Sequence, residues 1–145
     1  MKRLCAETGA ALVEAAVTIP ILLLLSVGIF EFGRAYQTWQ ILTNAAREGA
    51  RMAVVPNPAA GAVESRVRQY MQSGQLPRYQ TATVTLNRSA TLTINGQNVT
   101  ASLVSIDYPF DFIVLQPVAR LVNPRATAGT SLTMHASALM RNEAQ

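Results

Sequence analysis

Glu14 is the residue whose surroundings least suit it. No charged residue occurs from Ala15 to Phe30, and Ile21 to Leu25 is unbroken aliphatic sequence. A carboxylate inside such a run costs about 2.5 kcal/mol or more in a bilayer unless it finds a partner. Gly9 stands five positions earlier, where a polar leader from Met1 to Thr8 gives way to the apolar run. Cleavage after Gly9 would make Ala10 a new N-terminus. The Glu14 carboxylate therefore needs a partner for its charge, and Gly9 and Ala10 mark the junction ahead of it.

Other reactive residue types are sparse. The one histidine, His135, falls on the threonine-bearing side of an expected strand with no carboxylate near it in sequence, so it reads as a surface residue. Asp107 and Asp111 lie close together but lack the glycine and glutamate of a calcium loop, and read as loop solubility. Cys5 is the only cysteine, which excludes an intrachain disulfide and a cysteine-based metal site. No glycine-rich phosphate loop occurs, and two short matches to the N-glycosylation pattern, at Asn87 and Asn98, carry little weight. The formal charge of +4 comes from scattered arginines rather than a basic run, which argues against nucleic acid. These observations give no catalytic residue, cofactor, metal or small-molecule substrate.

The element that must position Gly9 and Glu14 is a helix. Residues 10–30 at about 1.5 Å per residue reach about 30 Å, enough to cross the hydrocarbon core of a membrane lipid bilayer. A secretory signal peptide would need a small-x-small site between Ser26 and Arg34, where Glu31, Phe32 and Arg34 are poor surroundings. A lipoprotein reading fails because no apolar core precedes Cys5. An uncut anchor with Glu14 near the membrane edge stays open. Lys2 and Arg3 before the span, against Arg34, Arg47 and Arg51 after it, do not fix its orientation.

Phe32, Tyr36, Trp39, Leu42 or Thr43, Ala46 and Ala50 recur in steps of three and four, so the helix should extend over 31–55 with one aromatic and small-residue stripe. That stripe packs either on the chain's own globular part or on another subunit. Ala45, Gly49 and Ala53 are spaced by four, as are Ala46 and Ala50, giving a surface of low relief where a partner helix can approach closely. Glu48 stands three before Arg51 as an expected ion-pair partner.

Residues 56–145 are expected to form a small α+β domain. Val54-Val55-Pro56 ends the long helix; Asn57 and Pro58 read as the N-cap and first residue of a short second helix with Val63, Val67 and Tyr70 on its apolar face and Gly74 as its close. The period then changes to two. Val84 and Leu86, Leu92 and Ile94, and Leu132 to Met140 alternate with polar residues, and Asn95-Gly96 signals a type I′ hairpin. Leu103-Val104 shifts the register and suggests a bulge before Ile106 and Tyr108. An antiparallel sheet of three to four strands against the helix follows. Residues 108–129, with Pro109, Pro117 and Pro124, read as an apolar loop that either covers the sheet locally or meets a partner protein.

The sequence Gly9-Ala10-Ala11-Leu12-Val13-Glu14 resembles the prepilin processing site of type IV pilins and pseudopilins. Together with Pro20, Phe30-Glu31-Phe32-Gly33 and the run Ala45 to Arg51, it resembles the TadE-like family of the tight-adherence, Flp-type pilus system. The close from Ala138 to Glu143 is similar to that family's short basic and acidic ending. The resemblance implies a leader at 1–9 removed by a prepilin peptidase, and a carboxylate at Glu14 that pairs with the freed amine of a neighbouring subunit. It also implies a single-pass protein of a bacterial inner membrane, with its C-terminal domain periplasmic or extracellular. Its partners would be other pilins or pseudopilins and tight-adherence secretion components. The rivals are an unprocessed anchored binding domain and a membrane-tethered enzyme, which would require a polar pocket that the composition barely permits.

Overall fold

A computed structural model describes residues 2–56, 58–122, 125, 127 and 129–142. The order is helix α1 (Lys2–Ala53), helix α2 (Ala62–Ser73), a short 3-10 turn (Tyr79–Thr81), strands β1 (Thr83–Ile94) and β2 (Gln97–Phe110), helix α3 (Leu115–Val122) and strand β3 (Leu132–Arg141). The expected α+β class, with a long apolar N-terminal helix, a short second helix and an antiparallel sheet, is borne out, and the sheet has three strands in the order β1-β2-β3. The chain packs as two units, Met1–Arg34 with Phe112–Thr130, and Ala35–Asp111 with Ser131–Gln145.

In the first unit α1 is apolar and outward-facing. Ile21 to Leu25 are each more than half exposed, and α1 carries the one stretch among the described residues that is long and apolar enough to cross a membrane. Pro20 lies inside it without ending it, as apolar helices tolerate when neighbouring groups take up the freed carbonyl. The helix already runs from Lys2, so the polar residues expected to precede it are part of it. In the same unit the chain after α3 returns to that helix's first turn. Gly129 has φ +75° and its Cα lies so close to the backbone of Leu115 and Gln116 that a Cβ would come within 2.5 Å of the Gln116 nitrogen.

In the second unit the core is built on β2. Val104, Ile106, Tyr108 and Phe110 are buried from one face of that strand, with Leu42, Ala46 and Ala50 of α1 and Val63, Val67 and Met71 of α2. Burying each of the larger aliphatic side chains contributes about 1.5–3 kcal/mol. Leu42 marks where the stripe on α1 changes role: Phe32, Tyr36 and Trp39 are exposed, while Leu42, Ala46 and Ala50 are covered by the chain's own fold.

Helix α2 begins later than its sequence suggests. Asn57 lies outside the described residues, Pro58 is not helical, and the helix starts at Ala62 behind Gly61, whose left-handed backbone turns the chain in. Its third buried residue is Met71 rather than Tyr70, which stays 36% exposed. Gly74 does close the helix, its N–H donating to the Tyr70 carbonyl.

The β1–β2 hairpin turns at Asn95 and Gly96, with φ of 51° and 77° and Ile94 opposite Gln97, as a type I′ turn requires. The bulge lies in β1 instead of β2. Asn87 pairs with Leu103 and Ala90 with Ala101, so Arg88 and Ser89 share the place opposite Ser102. Ser102, fully buried, donates from its hydroxyl to Asn142 Oδ1 at 2.7 Å, and Asn142 Nδ2 donates to the Arg88 carbonyl at 3.2 Å. Asn142 thereby satisfies both sides of the irregularity.

Candidate processing and packing surfaces of the N-terminal helix

Gly9 and Ala10 lie inside α1 and are exposed, and Glu14 is exposed one turn beyond Ala10. Residues four apart share a helix face, so the Ala10 nitrogen and the Glu14 carboxylate are separated by about 6 Å of axial rise. A Cβ built on Gly9 meets nothing within 4 Å. The fold of this chain therefore does not require glycine at position 9, and a requirement for it must come from something that acts on the chain.

The small-residue surface has a different occupant from the one its spacing suggested. Ala45, Ala46 and Ala50 are fully buried and Ala53 nearly so. A Cβ on Gly49 would fall 2.5 Å from Val67 Cγ2, 3.2 Å from Val104 Cγ1 and 3.7 Å from Val63 Cγ1. The helix that approaches closely is α2 of the same chain, with β2 beside it, and no helix of another subunit has room there. Glu48 is likewise engaged internally. Its Oε1 accepts from Arg66 Nη2 at 2.7 Å and Nε at 3.1 Å, across to α2, rather than from Arg51. Short side chains on α1 bring α2 near enough for this pair to form.

A residue to which the sequence reading gave no structural role, Glu31, organises the first unit. Its side chain is fully buried, and Oε1 accepts hydrogen bonds from the backbone N–H groups of Val114 and, at 3.3 Å, Leu115. Oε2 accepts from Arg34 Nη2 at 3.1 Å, one turn along α1. The first N–H groups of any helix lack partners within it, and here a carboxylate from 83 residues away supplies one. Pro117 stands in the same first turn, where its missing donor costs nothing. All of these donors favour the ionised carboxylate, and the partial positive charge of the α3 N-terminus adds to them.

Gly9, Glu14 one turn past Ala10, the exposed apolar stretch and the small residues beyond it all lie in α1, within one segment that resembles a known family. Residues 9–51 match the family model described as TadE-like protein. The TadE-like segment thus begins at the glycine that the fold leaves unconstrained and ends within the surface that receives α2. No curated protein and no solved structure matches the chain.

Outside the TadE-like segment, two pairs of titratable residues lie on the sheet and its loops. Asp107 and His135 are cross-strand partners on the exposed face, with Oδ1 and Nδ1 2.6 Å apart. His135 is on the surface as its strand position indicated, although the carboxylate beside it comes from the neighbouring strand. Asp111 pairs with Arg78 across a loop. Among the described residues no group of three or more histidine, cysteine or acidic side chains is placed to hold a metal ion.

Proposed function

We propose that this chain is a membrane-anchored pseudopilin or minor pilin, used to assemble or initiate a Flp-type, tight-adherence pilus. A prepilin peptidase cuts it after Gly9. The freed amine of Ala10 and the carboxylate of Glu14 pair with their counterparts on neighbouring subunits in the bacterial inner membrane, and the sheet-bearing domain lies on the far side. The observation that carries this reading is the unconstrained Gly9 where the exposed apolar stretch of α1 begins, with Glu14 one turn past Ala10 and no ion pair to any described residue. The TadE-like match over the same residues supports the pilus system. A membrane carboxylate with no ion pair among the described residues is suited to one from a neighbouring subunit.

A second reading, an uncut anchored binding domain, draws support from the continuity of α1 through the Gly9–Ala10 bond, since a peptidase must unwind a helix to reach a bond inside it. Intact mass of the protein recovered from its own membranes separates the two. The expected result is an N-terminus at Ala10 that reverts to the full chain without the prepilin peptidase and in Gly9→Ala. A full-length N-terminus in every case would leave the second reading standing.

A further inference from the structure

The segment 112–130 has no acidic residue and carries Arg120 and Arg125. Its helix starts where Glu31, the first ionisable residue after the apolar run, accepts the N–H groups of Val114 and Leu115. The beginning of α3 is therefore held at the end of the apolar span. The residues next to that junction on each stretch of chain are apolar and open: Ile113 is 59% exposed and Phe32 is 67% exposed. At about 100° per residue, Leu115 and Val118 fall on one side of α3, and Gln116 with the exposed Arg120 on another.

In water this arrangement leaves a large aliphatic side chain uncovered beside a buried carboxylate, and each such side chain forgoes about 1.5–3 kcal/mol of burial. At the boundary of a bilayer every part of it is accommodated. Glu31 brings α3 to that boundary without an unpaired charge, because backbone donors and Arg34 neutralise it. Ile113 and the Leu115 side face acyl chains, and a basic residue with no acidic neighbour in its segment faces lipid phosphate.

We propose that α3 is an interfacial helix, lying in the headgroup layer of the membrane that α1 crosses, with its basic side on anionic lipid. The proposal rests on the anchoring part of the functional reading, and the test separates the two. Full-length protein with Cys5→Ser receives a single fluorescent label at Ile113→Cys, Phe32→Cys or Ile21→Cys. It is reconstituted in vesicles of phosphatidylcholine, with and without phosphatidylglycerol, carrying a nitroxide on a shallow acyl carbon. Quenching at position 113 is expected within roughly twofold of that at position 32, falling when phosphatidylglycerol is omitted or Arg120 is replaced in Arg120→Glu. Pro117→Cys, at an exposed position, gives a second measure of depth if Ile113→Cys disturbs the Glu31 contact. Labels at 113 and 117 that are open to aqueous iodide and indifferent to the nitroxide, while 21 and 32 are quenched, would overturn the proposal and leave the anchor intact. Such a result would assign the apolar side of α3 to water or to a protein partner. Loss of quenching at 21 and 32 as well would overturn both readings.

Discussion

Replacing Gly49 by alanine sets two known effects against each other. In the interior of a helix the change is favourable by about 1 kcal/mol, because glycine gives up more backbone freedom on folding. At this position the new methyl group would sit 2.5 Å from Val67 Cγ2 and 3.2 Å from Val104 Cγ1. Neither valine has room to retreat, since both are fully buried and Val63 behind them is 5% exposed. Overpacking of a closed core costs typically about 1–3 kcal/mol. Taking about 2 kcal/mol for that term, Gly49→Ala is expected to destabilise the second unit by about 1 kcal/mol. Hydrogen exchange of the β2 amides in the full chain reads this directly without the apolar half of α1 dominating the signal, and about 1 kcal/mol corresponds to roughly fivefold faster exchange. Val67→Ala alone should cost about 2 kcal/mol as a cavity. In the double variant the alanine methyl fills part of that cavity, so the combined cost should fall short of the sum by about 1 kcal/mol. A Gly49→Ala protein as stable as the parent, or a strictly additive double variant, would refute the claim that α2 is seated against Gly49.

Glu31→Ala leaves the N–H groups of Val114 and Leu115 without their carboxylate, and hydrogen bonds to charged groups contribute about 1.5–3 kcal/mol. Exchange at those amides is expected to accelerate roughly tenfold or more, while β2 amides keep their rates; unchanged protection at Val114 would contradict the assigned contact. Asn142→Ala removes the acceptor for the buried Ser102 hydroxyl and the donor to the Arg88 carbonyl. The expected cost in thermal or urea unfolding is about 1–3 kcal/mol, smaller in Asn142→Asp, which keeps the acceptor.

What could be read from the sequence was what neighbouring residues decide among themselves. The apolar run before Glu31, the Asn95-Gly96 turn and the alternation from Leu132 to Met140 each carry their own period or backbone preference, and each forms the expected element. His135 belongs with these, since its place in the alternation of β3 puts it on the exposed side. Pro109 and Pro117 misled because a proline signals a break only where its N–H is needed. Pro109 sits in β2 beyond the point where β1 stops pairing, and Pro117 sits in the first turn of α3, so strand and helix both run through stretches that read as loop. Leu115 and Val118 in a step of three were the available signal for α3. Glu31 was legible only as the end of an apolar run, because the groups it binds lie 83 and 84 residues away. The spacing of Ala45 to Ala53 correctly announced a close helix but carried no label saying whose helix it is.

The placement of α3 between β2 and β3 also sets an order of events. The β1–β2 hairpin closes through two residues, Asn95 and Gly96, whereas β3 reaches β2 only after the excursion from 111 to 131. Closing a loop of about twenty residues rather than two costs about 2 kcal/mol more in chain entropy, so the local hairpin forms first and β3 arrives last. Until it does, β2 from Ala101 to Phe110 has one row of amides and carbonyls with no strand beside it. The vulnerable interval in the life of this domain falls between the emergence of Phe110 and the docking of Leu132, when that open edge is available to any other strand that comes near.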